Sequence, residues 1–251
     1  MTVWEALAVT LAGLGAGTIN AVVGSGTLIT FPVLLAVGYP PVLANVSNTV
    51  GLVPGSLSSV VGYRAELAGQ RGRLTRLGAA SVLGAGAGAT ALLVLPDGAF
   101  GAIVPVLIGL GCLLVVLQPR LSRWLAARTP GDRTRVGPLL LGAVLLTGAY
   151  GGYFGAAQGV LLIAIMGVLL DESLQRVNAA KNVLAFLVNT VAAAVFVSVT
   201  DIAWAAAGLI AVGSVVGGQL GSRLGRRVPS TVLRGIVVVV GLVALVTLVV
   251  G

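Results

Sequence analysis

Asn45, Asn48 and Thr49 stand at i, i+3 and i+4, the spacing that puts side chains on one face of a helix. Asn178, Lys181 and Asn182 occupy the same three places further on (178 − 45 = 133). Amides and a hydroxyl donate hydrogen bonds without adding charge, and a lysine adds one compact, strongly hydrated positive charge. Such a set can hold a small anion, and an oxyanion best. Ahead of each trio lies a glycine-containing break: Gly24-Ser25-Gly26, preceded by Asn20, and Gly155-Ala156-Ala157-Gln158-Gly159. Half-helices starting after the breaks, near Thr27 and Val160, would aim backbone N–H groups and positive dipole ends at one point. That is an anion seat. The candidate substrate-binding residues are therefore Asn20, Gly24, Ser25, Gly26, Asn45, Asn48, Thr49, Gln158, Gly159, Asn178, Lys181 and Asn182. A local charge of about one positive suits a monoanion better than a dianion or a cation.

Plainer readings compete with these. The asparagines could be interhelical glue, and the glycines could serve close helix packing, as at Gly84, Gly88, Gly217 and Gly221. Lys181 could snorkel to the end of its helix. Thr18, Thr30 and Ser47 could line a cavity or tie backbone. Pro54 is expected to kink its helix. Asp171 and Glu172 read as a solvated cap of a helix beginning near Ser173. Asn189 and Thr190 fall opposite Ser56 and Leu57, a poor chemical match, and are set aside.

The sequence has no histidine and a single cysteine, Cys112. His-dependent proton relays, Ser-His pairs and His-ligated metals are excluded, and no intrachain disulfide can form. Ser25 between glycines would need a base to act as a nucleophile. No Gly-rich segment ends in the Lys-Ser/Thr of a nucleotide loop. We therefore expect neither an enzyme nor a cofactor, metal or nucleotide site.

The elements that position these residues follow from composition. Of 251 residues 57% are hydrophobic and 9% charged, with a mean hydropathy of +1.09. Several apolar stretches reach the roughly 20 residues that cross a bilayer. The pattern predicts an all-α polytopic membrane protein with spans at 3–22, 28–38, 42–63, 75–95, 99–117, 137–155, 159–170, 174–198, 201–221 and 231–250. The stretches 28–38 and 159–170 are too short to cross. Each is expected to follow a break and form a re-entrant hairpin. Nothing resembles a cleavable signal peptide.

The halves match each other. With a shift of 133, Gly15 lands on Gly148, Asn45 on Asn178, Gly84 on Gly217, Pro96 on Pro229 and Ile103 on Ile236, with no gap expected in between. Counting the short helices as returns puts four basic groups on one face: Arg64 to Arg76, Arg120 to Arg135, Arg176 with Lys181, and Arg223 to Arg234. The positive-inside rule makes that face cytoplasmic. The expected organisation is two inverted-topology repeats, 1–117 and 137–251, joined by a basic cytoplasmic linker, 118–136. Both termini are then extracytoplasmic, in a multi-pass protein of the cell membrane. The formal charge of +8 reflects membrane orientation, not a nucleic-acid partner. The expected partners are the lipid bilayer and a small anionic substrate, with the oligomeric state open and a homodimer among the options.

The run Gly24-Ser25-Gly26-Thr27-Leu28-Ile29-Thr30-Phe31-Pro32, followed by Ala44-Asn45-Val46-Ser47-Asn48-Thr49, resembles the first signature of the sulfite exporter TauE/SafE family. Gly155 to Gly159 with Asn178-Ala179-Ala180-Lys181-Asn182 resembles its second signature, with Ala156, Ala157 and Gln158 where glycines are usual. Gly217 to Leu224 is similar to its last glycine-rich stretch. The resemblance covers essentially the whole chain. It implies a carrier of sulfur-containing anions such as sulfite, sulfonates or sulfoacetate, coupled in some members to the proton gradient. An anion channel or a membrane assembly factor is the alternative, and an intramembrane enzyme the weakest one.

Overall fold

The computed structural model describes residues 1–126, 136–224, 235, 237–243 and 245. The arginines expected at 128, 133, 135, 226, 227 and 234, together with Pro229, Ile236 and much of the last span, lie outside them. Every regular element among the described residues is helical: α1 (Val3–Val22), α2 (Thr27–Ala36), α3 (Pro41–Gly62), a 3-10 turn (Arg64–Leu67), α4 (Arg71–Val94), α5 (Asp97–Ala126), α6 (Pro138–Tyr153), α7 (Gln158–Leu169), α8 (Leu174–Val199) and α9 (Trp204–Leu224). Five of these helices are long and apolar enough to cross a membrane. This is an all-α polytopic membrane protein.

Local chemistry sets the ends. Thr2 and Glu5 form a reciprocal capping box at the start of α1. Pro41 opens α3, where a missing N–H costs nothing. Ser173 caps α8, accepting from the Arg176 N–H at 3.4 Å. The 10-residue α2 and 12-residue α7 are too short to cross, as expected. One boundary differs: α5 continues through Pro119 to Ala126, so residues 118–126 of the expected linker are helix.

The helices pack in a pattern that survives exchanging the halves. α1 lies against α9, and α6 against α4. α3 packs on α9 and α8 on α4, and α3 meets α8 at the centre. Each short helix folds back beside the helix before it, α2 on α1 and α7 on α6.

The correspondence is not gapless. Gly24 and Gly155 both take positive φ, +87° and +76° (155 − 24 = 131). The Gly24 N–H donates to the Ile19 carbonyl and the Gly155 N–H to that of Tyr150, again 131 apart (150 − 19 = 131). Gly17 packs on Ser214 and Gly148 on Ser81, so Gly148 corresponds to Gly17 rather than Gly15 (148 − 17 = 131). Past the short helices the shift is 133. The reason is local: α7 is two residues longer than α2 (12 − 10 = 2). A chain rich in glycine hid that step behind a chance glycine match.

Close approach explains several other glycines. A Cβ at Gly88 would overlap the Ala149 carbonyl, and one at Gly217 the Leu14 carbonyl, whereas Gly86 has open space. Gly88→Ala and Gly217→Ala should each destabilise the folded protein by about 1–3 kcal/mol. Gly86→Ala should be neutral or stabilise by about 0.5–1 kcal/mol. Melting temperatures in detergent check this, and equal melting of all three variants would contradict the packing.

Candidate functional site

The two breaks cross. The Gly159 N–H at the start of α7 donates to the Gly24 carbonyl at 3.0 Å. Neither residue can carry a side chain, because a Cβ on either would run into the other's Cα. Gly24 also needs its positive φ, which glycine alone adopts without cost. Ala157, the residue before α7, sits in the left-handed region at φ 57°, a conformation that costs an L-residue about 1–2 kcal/mol. The Gly26 N–H is taken by Asn20 Oδ1 at 2.9 Å. The N–H groups expected to be free at the breaks are thus partly satisfied within the chain.

Stopping α1 here strands its last carbonyls, and α8 supplies the donors. Lys181 Nζ donates to the carbonyls of Asn20 (2.6 Å) and Ala21 (3.4 Å) and to Asn182 Oδ1 (2.9 Å). Asn178 and Asn182 donate their Nδ2 groups to the same Ala21 carbonyl at 3.1 and 3.3 Å. A positive charge at a helix C-terminus is also favoured by the macrodipole. Lys181 is fully buried and is the one buried charged side chain among the described residues. Its stem passes Gly159, whose Cβ would come within 2.8 Å of Lys181 Cδ. This is a placed charge rather than a snorkelling one.

The other trio does the corresponding work for α6. Asn45 Nδ2 donates to the Tyr153 carbonyl at 3.0 Å. Asn48 accepts from the Thr30 hydroxyl and donates to Thr27 Oγ1 at 3.4 Å. Thr49 returns its hydroxyl to the Asn45 carbonyl at 3.0 Å.

Beside the crossing lies a small cavity of about 20 Å³, room for roughly one water molecule. Six expected residues line it: Asn20, Gly24, Gln158, Gly159, Lys181 and Asn182. Ser25, Gly26, Asn45, Asn48, Thr49 and Asn178 do not. They sit in the surrounding layer that fixes the breaks and the helix ends. Gly155, part of the expected second break, lines it too, and Thr27, Ser56, Ser59, Ala185 and Asn189 complete the lining without having been among the candidate binding residues. Asn189 Nδ2 donates to Ser56 Oγ at 3.1 Å (189 − 56 = 133). Matched positions that touch each other sit where the halves meet. The signal was therefore in the register, but as a complementary donor and acceptor rather than as identity. Ser25 Oγ and Gln158 Nε2 are buried with no hydrogen-bond partner.

An aromatic cluster packs around the breaks. Phe31 of α2 meets Phe154, next to Gly155, edge-to-face at 5.1 Å, and Phe100 of α5 meets Phe154 at 6.0 Å and Tyr153 at 5.8 Å. Phe100 also borders a larger cavity of about 210 Å³ with Val42, Leu92 and Val199. Of the weaker candidates, Thr18 bonds its own helix, and Ser47 Oγ accepts from the Ala203 N–H at 2.9 Å just before α9.

The connection into α8 is not a simple solvated cap. Glu172 pairs with Arg73 of α4 and with Arg176 Nε at 2.6 Å. Arg176 also reaches the Ala68 carbonyl at 3.1 Å, and Gln70 donates to the Arg176 carbonyl at 3.2 Å. This cluster ties the α3–α4 connection to the start of the helix that carries Lys181. Partial burial pushes the Glu172 carboxyl up, but the bonds and charges of Arg73 and Arg176 outweigh it and hold it below the usual carboxylate range.

Residues 9–248 match the family model described as "Sulfite exporter TauE/SafE". The chain belongs to the TauE/SafE family. A "Probable membrane transporter protein" of Haemophilus influenzae is 27% identical over 229 residues, covering 90% of this chain and 88% of the relative. "Probable membrane transporter protein YfcA" of Escherichia coli K12 is 26% identical over 230 residues, covering 91% and 83%. "Probable membrane transporter protein ORF9" of a Sinorhizobium species is 26% identical over 234 residues, covering 90% and 85%. No solved structure matches the chain. This TauE/SafE protein is a membrane transporter.

The Glu172 cluster predicts a pH effect on its stability. A lowered carboxyl contributes fully above the ordinary carboxylate range and loses that contribution as the pH falls through the lowered value. Melting temperature in detergent should therefore fall on acidification from about pH 7 to about pH 3, and Glu172→Gln should flatten that fall. An unchanged profile in Glu172→Gln would remove the cluster from the account.

Proposed function

We propose that this transporter is a secondary carrier of small sulfur-containing oxyanions, such as sulfite, sulfonates and sulfoacetate-like molecules, binding them where the two breaks cross. The observation that carries the reading is Lys181: a buried ammonium at a cavity otherwise lined by neutral groups. A buried ammonium is costly unless compensated. Carbonyl dipoles compensate it in part, and an oxyanion does so with a full charge and shorter, charge-assisted hydrogen bonds. Binding would exchange one carbonyl on Lys181 for a substrate oxygen. The end of α1 then loses part of its cap, which links substrate binding to movement of a helix.

The cavity in this closed state is far smaller than a sulfonate, so transport requires the breaks to separate. We read the two halves as inverted-topology repeats that rock about the α3–α8 contact, in the manner of carriers built from broken helices. No carboxylate lines the cavity. Any proton coupling is then carried by the substrate, as a weak oxyacid, or by Lys181. We place the protein in the cell membrane with both termini outside.

Two experiments test this. Purified protein should melt at higher temperature with sulfite or methanesulfonate, the folded state gaining about 2.7 kcal/mol of stability at a hundredfold excess over Kd, and much less with acetate or chloride. Lys181→Met should abolish the shift. A larger shift with a cation or a neutral solute would overturn the substrate reading. Separately, single cysteines at Tyr39 and Asp171, in a Cys112→Ser background, should be labelled from opposite sides of the membrane. Labelling of both from one side would contradict the inverted arrangement.

A further inference from the structure

Gln158 is the first residue of α7, 4% exposed, and it lines the cavity that Lys181 also lines. Its Nε2 finds no hydrogen-bond partner in the protein. Buried donors are rarely left so, because the desolvation cost of an unmade bond is unrecovered. The side chain has no room to retreat: its amide lies flat on Gly151, where a Cβ would collide with it. The corresponding residue at the first break is Thr27 (158 − 27 = 131), whose hydroxyl is engaged by Asn48. One half closes this position with an internal bond, and the other leaves a donor open.

We propose that the Gln158 amide is the selectivity group of the carrier, donating Nε2–H to one oxygen of the bound oxyanion while Lys181 supplies the charge. This rests on the reading that the cavity beside the crossing holds an oxyanion. A neutral donor adds an oxygen-specific contact without a second positive charge. It therefore favours singly charged anions with several separated oxygens, such as sulfonates, over halides, which offer one atom. With no substrate present, the cavity has room for one water to satisfy Nε2.

The experiment is calorimetric titration of purified wild type, Gln158→Leu, Gln158→Asn and Gln158→Glu with methanesulfonate, sulfite and chloride. Gln158→Leu should bind methanesulfonate about tenfold more weakly, the loss of one bond to a charged partner, with chloride affinity little changed. Gln158→Asn should fall between, and Gln158→Glu should bind no anion near neutral pH. A melting scan gives a readout that a packing role would not produce. Gln158→Leu should melt no lower than wild type, because it removes an unsatisfied donor. Should Gln158→Leu fail to fold, the Asn and Glu variants carry the same comparison. Wild-type binding with an unchanged methanesulfonate-to-chloride ratio in the variants overturns the role of Gln158 alone. Absence of oxyanion binding by wild type overturns the reading beneath it as well.

Discussion

A helix that stops inside a membrane leaves carbonyl oxygens with no water to receive them, and that constraint organises this protein. The end of α1 must be capped from outside its own chain segment. Asn178, Lys181 and Asn182, on one face of α8, provide the cap through the Asn20 and Ala21 carbonyls. The same requirement at the end of α6 is met by Asn45 of α3. Each long central helix thus terminates a broken helix of the opposite half. The core of the transporter is a pair of reciprocal caps.

Reciprocity brings the breaks into contact. With both caps made, the two glycine turns have nowhere to go except against each other, and the Gly24–Gly159 contact tolerates no side chain. The caps are not equivalent, however. One uses an amide alone, and the other adds an ammonium. This asymmetry puts the one buried charged side chain among the described residues at the end of α1 and none at the end of α6.

Much of this was legible in the residues. Glycine pairs inside apolar runs announced the breaks, because no other residue is cheap at positive φ. The i, i+3, i+4 spacing announced the polar faces. What the side chains on those faces would bond was hidden, because backbone carbonyls carry no sequence signature. Six of the twelve expected residues therefore support the cavity rather than line it. The two-residue step between the matched halves was masked by abundant glycine, although the unequal lengths of the short helices contained it. Asn189 was overlooked because it was compared with Ser56 as a replacement. The two are hydrogen-bond partners. The Glu172 cluster joins residues 99 positions apart along the chain, beyond the reach of any local pattern.

The central claim is that an oxyanion takes the place of a helix-end carbonyl on Lys181. The most direct measurement is a crystal structure with selenite, a heavier relative of sulfite, located by its anomalous signal. The account predicts one selenium peak beside the crossing, with selenite oxygens within hydrogen-bond reach of Lys181 Nζ and Gln158 Nε2 and with Nζ detached from the Asn20 or Ala21 carbonyl. A peak elsewhere, or an anion at the crossing with all three Lys181 bonds still in place, would contradict it.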